Sequence, residues 1–328
     1  MTKQTHEIPT LREVIEGALG ARLPPFPAPS FGVKNLDKVC AALLDIPPAS
    51  FGGMAAPLGS TDHAEKLSSI FATAMGRQLR GASIEKITAV VDGLVADYME
   101  KRGRRTRVLE IAAQEITHSP PSPDAHALLD DDWLAFFKGK VDQLGSEEAK
   151  LLFGKVLAGE IKRPGSFSKR SVGILAEMGP IVGALFDALC NISTVISTQH
   201  VRVVTLGVGD VGANSLEEYG LPFEALNHLI EAGLIFSEYD TFIGMPLAAS
   251  GQPFDLGGTR YRLQITEAKE TELDTIEKRT AALAAVPGVT LSAAGRELRA
   301  VVAKKTVHAY VEKLAKGFAE RGFLLGIA

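Results

Sequence analysis

One carboxylate in the middle of the chain occupies a position where an apolar residue is expected. Glu160 lies four residues after Val156 and three after Leu157, which places it on the apolar stripe of a predicted helix. Such a group can act as a general acid or base, or it can anchor structure, because a buried carboxylate needs a partner. Arg163, Arg170 or the backbone amides that open the next helix are its predicted partners. We expect a structural clamp that joins two helices.

An acidic triplet, Asp130 to Asp132, directly precedes Trp133 and could either cap a helix or bind a divalent cation. Carboxylates accept hydrogen bonds from the free amides at a helix start and favour its positive end. A calcium site would need further carboxylates at ligand spacing, and none follows the triplet. We therefore expect capping, with Trp133 as a structural or interaction residue. The seven histidines also show no metal-ligand spacing, so no metal is expected.

A basic cluster on a predicted helix could bind anions. It consists of Lys101, Arg102, Arg104, Arg105 and Arg107. A run of charge on a helix is usually a solvated face, but the same arginines are candidates for binding RNA, phospholipid or an acidic partner. The formal net charge of −4 gives no global reason to expect nucleic acid.

Recognisable catalytic motifs are missing from the sequence. The stretch Gly207 to Gly212 has the glycine spacing of a dinucleotide fingerprint, but Gly220-Leu221-Pro222 interrupts the helix that such a site needs. There is no phosphate loop of the Walker type and no nucleophile elbow. We expect a non-enzymatic protein without a cofactor, although a triad built from distant residues leaves no trace in a sequence.

The elements that carry these residues follow from caps and turn signals. Ser146 opens a helix whose apolar stripe reaches Ile161, and the Pro164-Gly165 pair predicts that it ends in a tight turn. Ser166 or Ser168 is the predicted cap of the next helix.

The predicted fold is mainly α (α+β), in four segments. Residues 1–60 form a Pro/Gly-rich arm, 61–178 a central helical domain, 179–265 a winged-helix-like module and 266–328 a C-terminal helical segment. The last wing strand is either 259–265 or 288–291. Because the helix over 223–231 has no Arg or Lys for phosphates or guanine edges, we do not expect this module to bind DNA.

The central residues resemble a known family. The pattern runs through Asp131-x-Trp133, Ser146-Glu147-Glu148, Leu157-Ala158-Gly159-Glu160-Ile161 and Pro164-Gly165-Ser166-Phe167-Ser168-x-Arg170. It is similar to an uncharacterised bacterial family catalogued as domain of unknown function 2806, over roughly residue 60 to the end of the chain. The resemblance implies that the block is a real structural unit, and it transfers no activity.

Location and partners follow from composition. No uncharged apolar run reaches the roughly 18 residues that a membrane-spanning helix needs. Only two cysteines occur, Cys40 and Cys190, each in an apolar context, so reduced thiols and a cytoplasmic location are expected. Residues 46–60 are uncharged and irregular, which is typical of an arm that covers the body or contacts lipid.

The functional expectation is a cytoplasmic sensor or adaptor that acts through macromolecular binding, with a protein partner that is either a second copy or another chain. One alternative is a lipid-associated component of a bacterial anti-phage defence system that uses residues 46–60. The other is a nucleic-acid-binding protein that uses the basic cluster at 101–107.

Overall fold

The computed structural model describes residues 38–40, 42–44, 84–119, 128–197, 201–207, 214–237, 242–243, 254–267 and 286–328. The chain divides into two compact units, Met1–Val172 and Gly173–Ala328. The predicted apolar segment 46–60 and residues 208–213 of the glycine motif lie outside the described residues. The described elements are mainly helical with small sheets, which confirms the predicted class.

The first unit is built from helices. They are α1 (Ile84–His118), α2 (Asp131–Val141), α3 (Glu147–Lys162) and the start of α4 (Lys169–Glu177). Asp130 accepts from the Trp133 amide at 2.7 Å, and Ser146 accepts from the Ala149 amide at 3.1 Å. Both caps were predicted from the sequence, and both satisfy amides that a helix start leaves free.

Close approach and aromatic stacking hold α1, α2 and α3 around one core. A Cβ at Gly154 in α3 would lie 2.5 Å from Cγ2 of Ile111 in α1, so only glycine permits this approach. Trp133 stacks on Phe137 with ring centroids 4.9 Å apart. The ring centroids of Phe137 and Phe153 are 5.4 Å apart. All three rings are buried, so their apolar area stabilises the packing of α2 on α3.

The second unit mixes helices and short strands. In chain order they are α5 (Pro180–Asn191), β1 (Ser193–Ser197), β2 (Val201–Leu206), a 3-10 turn (Glu217–Tyr219), α6 (Phe223–Glu231), β3 (Phe242–Ile243), β4 (Phe254–Leu256), β5 (Thr259–Ile265), β6 (Val286–Thr290), α7 (Ala293–Arg299), α8 (His308–Glu320) and β7 (Phe323–Ile327).

The strands form two antiparallel sheets. One has the order β1-β2-β6-β3, and the other has the order β4-β5-β7. Ile235, just after α6, bridges to Leu291 at the end of β6, whereas residues 259–265 pair with β4 and β7 in the other sheet. Of the two candidates for the last wing strand, 288–291 is therefore the one beside Ile235. A winged-helix-like module stays a prediction.

The C-terminal part differs from a purely helical segment. The described part of the predicted helical segment 266–328 contains α7 and α8, but it also contains the strands β6 and β7. Gly322 has φ 84°, which allows the chain to reverse from α8 into β7. Strands from the predicted segments 179–265 and 266–328 pair in both sheets, so these segments share the second unit.

In the part of the chain that the structure describes, no helix combines the length and the apolar composition that crossing a bilayer requires.

Candidate functional site

A tight loop after α3 contains the most distinctive residues of the sequence. We call residues 163–168 the return loop. The Arg163 amide donates to the Gly159 carbonyl at 2.9 Å, and the Ser166 amide donates to the Arg163 carbonyl at 3.2 Å. Gly165 has φ 84°, the positive value that the third position of a type II turn needs. The predicted Pro-Gly turn is confirmed.

Glu160 holds the return loop from inside. Its side chain is only 2% exposed. Oε1 accepts from the Gly165 amide at 2.6 Å, and Oε2 accepts from the Phe167 amide at 2.9 Å. Hydrogen bonds to an ionised carboxylate are shorter and stronger than neutral ones. Each oxygen therefore satisfies a backbone donor that would otherwise be lost inside the protein.

Trp133 and Gly159 hold the same loop from two further sides. The indole Nε1 donates to the Phe167 carbonyl at 2.6 Å. A Cβ at Gly159 would lie 2.6 Å from Cε2 of Phe167, so the glycine leaves room for the buried ring. Phe167 is thus fixed at its amide, its carbonyl and its ring. We call Trp133, Gly159, Glu160 and Phe167 the clamp.

The two arginines of the motif lie outside the clamp. Arg163 and Arg170 are exposed, and among the described residues no carboxylate lies within ion-pair distance of either. The expected arginine partners of Glu160 are therefore wrong. Backbone amides bind it, as the alternative predicted, but they are the loop amides of Gly165 and Phe167 and not those that open α4. Ser168, one of the two predicted caps, accepts from the Ser171 amide at 3.2 Å and starts α4.

Sequence reasoning missed Gly159 and Phe167 as members of the clamp. A glycine inside a helix is a usable signal, since it weakens the helix unless another group needs the space. The ring that fills this space comes from eight residues further along, and helical periodicity does not identify it.

Arg105, one of the predicted anion-binding residues, is part of the core. It is 6% exposed. Its Nε and Nη2 donate to both carboxylate oxygens of Asp142 at 2.5 and 2.7 Å, and its Nη1 donates to the Leu43 carbonyl at 3.2 Å. This bidentate pair joins α1 to the end of α2 and to the helical residues 42–44.

The other cations of the cluster also have partners. Arg104 bonds to Glu100 and to the Asp142 carbonyl, and Arg102 donates to the Tyr98 hydroxyl at 3.4 Å. Arg107 binds Glu147 at 3.1 Å and Glu110 at 3.2 Å. The hydrogen bond that Arg107 donates to Glu147, followed by the one that it donates to Glu110, raises the pKa of Arg107. Neighbouring carboxylates thus balance most of the positive charge of the cluster.

A second buried guanidinium lies in the other unit. Arg299 is 5% exposed, and burial lowers its pKa. It donates from Nε to the Ser193 hydroxyl at 2.6 Å and from Nη2 to the Ser193 carbonyl at 2.9 Å, which joins α7 to β1. The adjacent Cys190 is fully buried, and desolvation raises the pKa of its thiol to about 12. A neutral, buried thiol is a poor nucleophile.

Within the described ranges, no three His, Cys, Asp or Glu side chains come together in a way that could hold an ion.

The fold and the clamp define a mainly helical protein of two units, in which a buried carboxylate and an indole hold a loop, and two exposed arginines lie in this loop and in the first turn of α4. The chain belongs to the family described as Protein of unknown function (DUF2806), whose profile matches residues 98–315, well over half of the chain. The match includes the whole motif block and confirms the resemblance. No curated protein and no solved structure matches the chain.

Proposed function

We propose that the protein is a non-enzymatic sensor or adaptor that binds another macromolecule, and that the outer side of the return loop is a contact surface. One observation carries this proposal. Trp133 and Glu160 are engaged with Phe167, while Arg163 and Arg170 extend from the same segment with no carboxylate beside them among the described residues.

A rigid loop with exposed arginines suits recognition. Ordering a loop on binding reduces affinity, so a loop that is already fixed loses less conformational entropy. Arginine is enriched at interfaces and presents several donors in one planar group. The buried Trp133 and Glu160 would then keep the exposed Arg163 and Arg170 in a binding geometry. An acidic surface on the partner would be complementary to these arginines.

The environment of Glu160 supports a structural role over a catalytic one. Both of its oxygens accept from backbone amides, and the side chain is buried. A general acid or base must instead reach a proton on a substrate. An activity that Glu160→Gln abolishes, in a variant that still folds, would contradict the proposal.

A cytoplasmic bacterial location belongs to the same proposal. It is supported by two buried cysteines, Cys40 and Cys190. The lipid and anti-phage alternative rests on residues 46–60, which lie outside the described residues. The nucleic-acid alternative rests on arginines that have acidic or hydroxyl partners. Neither alternative has a specific observation in its favour.

A winged-helix-like arrangement in the second unit is part of the proposal. The order α5, β1, β2, α6, Ile235 and β6 supports it, as does the bridge from Ile235 to Leu291. Because α6 carries no Arg or Lys, the module would serve protein contact or structure instead of DNA binding.

The experiment compares tagged variants in the native host. Wild type, Arg163→Ala/Arg170→Ala and the charge-matched control Lys305→Ala/Lys316→Ala are cross-linked, purified and analysed by quantitative mass spectrometry. The proposal expects a partner that the wild type and the control retain and that the loop variant loses. Equal recovery with all three proteins would remove the return loop as the contact surface.

A further inference from the structure

A separate surface in the second unit concerns the outer edge of β7. Among the described residues, β7 pairs only with β5, so it ends the sheet β4-β5-β7. The Ala328 amide donates to the Arg260 carbonyl at 3.0 Å, and the Thr266 amide donates to the Gly322 carbonyl at 3.1 Å. Antiparallel pairs alternate between bonded and non-bonded residues. The amides of Leu325 and Ile327 therefore point away from β5, on the part of β7 that is exposed, whereas Phe323 at the start of the strand is buried.

This edge lacks the usual protection against pairing. Natural edge strands carry charged residues, proline or bulges that discourage a further strand. None of the five residues of β7 is charged or proline, and its register with β5 runs without a bulge. Leu324 is 51% exposed and Ile327 is 80% exposed. Such an edge is suited to accept an extended chain by strand addition.

The positive charge on the neighbouring strand β5 favours an acidic peptide at this edge. Arg260, Arg262 and Gln264 share the exposed face of β5. Arg262 is in register with Gly326, and a Cβ at Gly326 would have nothing within 4 Å. Among the described residues, neither Arg260 nor Arg262 has a carboxylate within ion-pair distance. The Arg262 side chain can therefore extend across the empty glycine position toward a strand added beside β7.

We propose that β7 accepts an extended acidic peptide segment of a partner protein, with a carboxylate opposite Gly326 and apolar residues on the alternate positions. The carboxylate would meet Arg262, while the peptide backbone would pair with the amide and carbonyl groups of Leu325 and Ile327. A second copy of this chain fits poorly, because pairing two β7 edges would bring two arginine-bearing faces together. This surface is independent of the return loop.

Binding of a labelled peptide tests the assignment. The probe is a fluorescein-labelled seven-residue peptide that alternates glutamate with valine, and the control probe replaces each glutamate with lysine. Anisotropy is measured with the full-length protein. Wild type is expected to bind the glutamate peptide saturably and at least about tenfold more tightly than the lysine peptide.

Two variants separate the parts of the site. Arg262→Glu is expected to reverse the preference between the peptides, which a merely structural residue would not do. Leu325→Pro removes one outward-pointing amide and leaves the β5–β7 bonds in place, so it should abolish binding of both peptides while the melting temperature stays close to that of wild type. Equal binding of both peptides by wild type, an unchanged preference with Arg262→Glu, or unchanged binding with Leu325→Pro would each overturn the proposal.

A third variant distinguishes this surface from the proposed function. Arg163→Ala/Arg170→Ala should bind the glutamate peptide as wild type does, because the return loop takes no part in strand addition. Loss of peptide binding in that variant would place the peptide on the return loop and overturn the assignment to β7.

Discussion

Trp133 and Glu160 hold opposite ends of one residue: the indole donates to the Phe167 carbonyl, and the carboxylate accepts from the Phe167 amide. The two side chains come from different helices, α2 and α3. Their shared target lies in the return loop, so the geometry of this loop depends on both helices. This arrangement explains why the tryptophan, the carboxylate and the Pro-Gly turn occur together in the motif.

Removing the carboxylate should destabilise the first unit. Glu160→Ala leaves the Gly165 and Phe167 amides without an acceptor, and hydrogen bonds to a charged group contribute about 1.5–3 kcal/mol each. We expect a loss of about 2–4 kcal/mol in the free energy of unfolding, and a smaller loss for Glu160→Gln, which keeps one acceptor oxygen. Trp133, the only tryptophan, reports the transition by fluorescence during urea unfolding.

The matched control for this measurement is Glu148→Ala, at an exposed position in the first turn of α3. This substitution should change the free energy of unfolding by no more than about 0.5 kcal/mol. Equal unfolding midpoints for Glu160→Ala and Glu148→Ala would show that the carboxylate does not hold the loop.

Two helical glycines should respond to alanine in opposite directions. Gly154→Ala places a Cβ 2.5 Å from Cγ2 and 2.6 Å from Cβ of Ile111, so α1 and α3 must separate. We expect a loss of about 1–3 kcal/mol from overpacking, which exceeds the gain of up to about 1 kcal/mol in helix propensity. Thermal melting measures the effect.

Gly139→Ala is the control, because its Cβ would meet nothing within 4 Å. This substitution should raise the melting temperature, since alanine favours the helix at an open position. A lower melting temperature for Gly139→Ala, or a higher one for Gly154→Ala, would contradict the packing described here.

The buried ion pair of Arg105 should be sensitive to its partner. Asp142→Asn removes the charge of the Asp142 carboxylate that the buried guanidinium binds, and breaking a buried pair costs about 3–5 kcal/mol. The control is Asp132→Asn, which makes the same change at an exposed carboxylate 3.9 Å from the Lys169 ammonium. We expect it to change the free energy of unfolding by no more than about 0.5 kcal/mol. Similar urea midpoints for both variants would mean that Arg105 reaches solvent.

This burial also affects how nucleic-acid binding should be tested. Charge reversal at Arg105 would disrupt the fold, so lost binding could not be attributed to lost contact with nucleic acid. Arg102, which donates to a tyrosine hydroxyl, is the better position to substitute.

The thiol of Cys190 should stay unreactive until the protein unfolds. Its pKa is raised to about 12, while an unfolded cysteine ionises near 8.5. The folded state therefore favours the protonated thiol, and this stabilisation is complete below about pH 8.5 and declines as the pH rises toward about 12. We expect no reaction with a thiol reagent at pH 8 in the native state and two reactive thiols in urea.

A Cys190→Ala variant serves as the comparison for the alkaline range. Its free energy of unfolding should fall less steeply above pH 9 than that of wild type, because one ionising group is gone. Rapid native-state labelling at Cys190 would contradict the burial described here.

Local chemistry made much of the fold predictable. The helix caps Asp130 and Ser146 and the turn at Gly165 are decided by side chains and dihedral angles within a few residues of each other. The buried position of Glu160 followed from helical periodicity. Such features depend on short-range geometry, which a sequence expresses directly.

Long-range partners were not predictable in the same way. Arg105 meets Asp142 across 37 positions, and Phe167 meets Trp133 across 34. The pairing of β7 with β5 depends on a register that no local signal contains. Arg163 and Arg170 are close to Glu160 in sequence but are exposed, and the Gly165 and Phe167 amides donate to the carboxylate instead.

A double-mutant cycle tests the clamp most directly. Wild type, Trp133→Phe, Glu160→Gln and the double variant are unfolded in urea and followed by circular dichroism, since one substitution removes the fluorophore. If both side chains hold Phe167, the coupling free energy between the two substitutions should be about 0.5–2 kcal/mol. The double variant should then lose less free energy of unfolding than the two single variants lose together. Additivity to within about 0.3 kcal/mol would contradict a shared clamp and separate the tryptophan from the carboxylate.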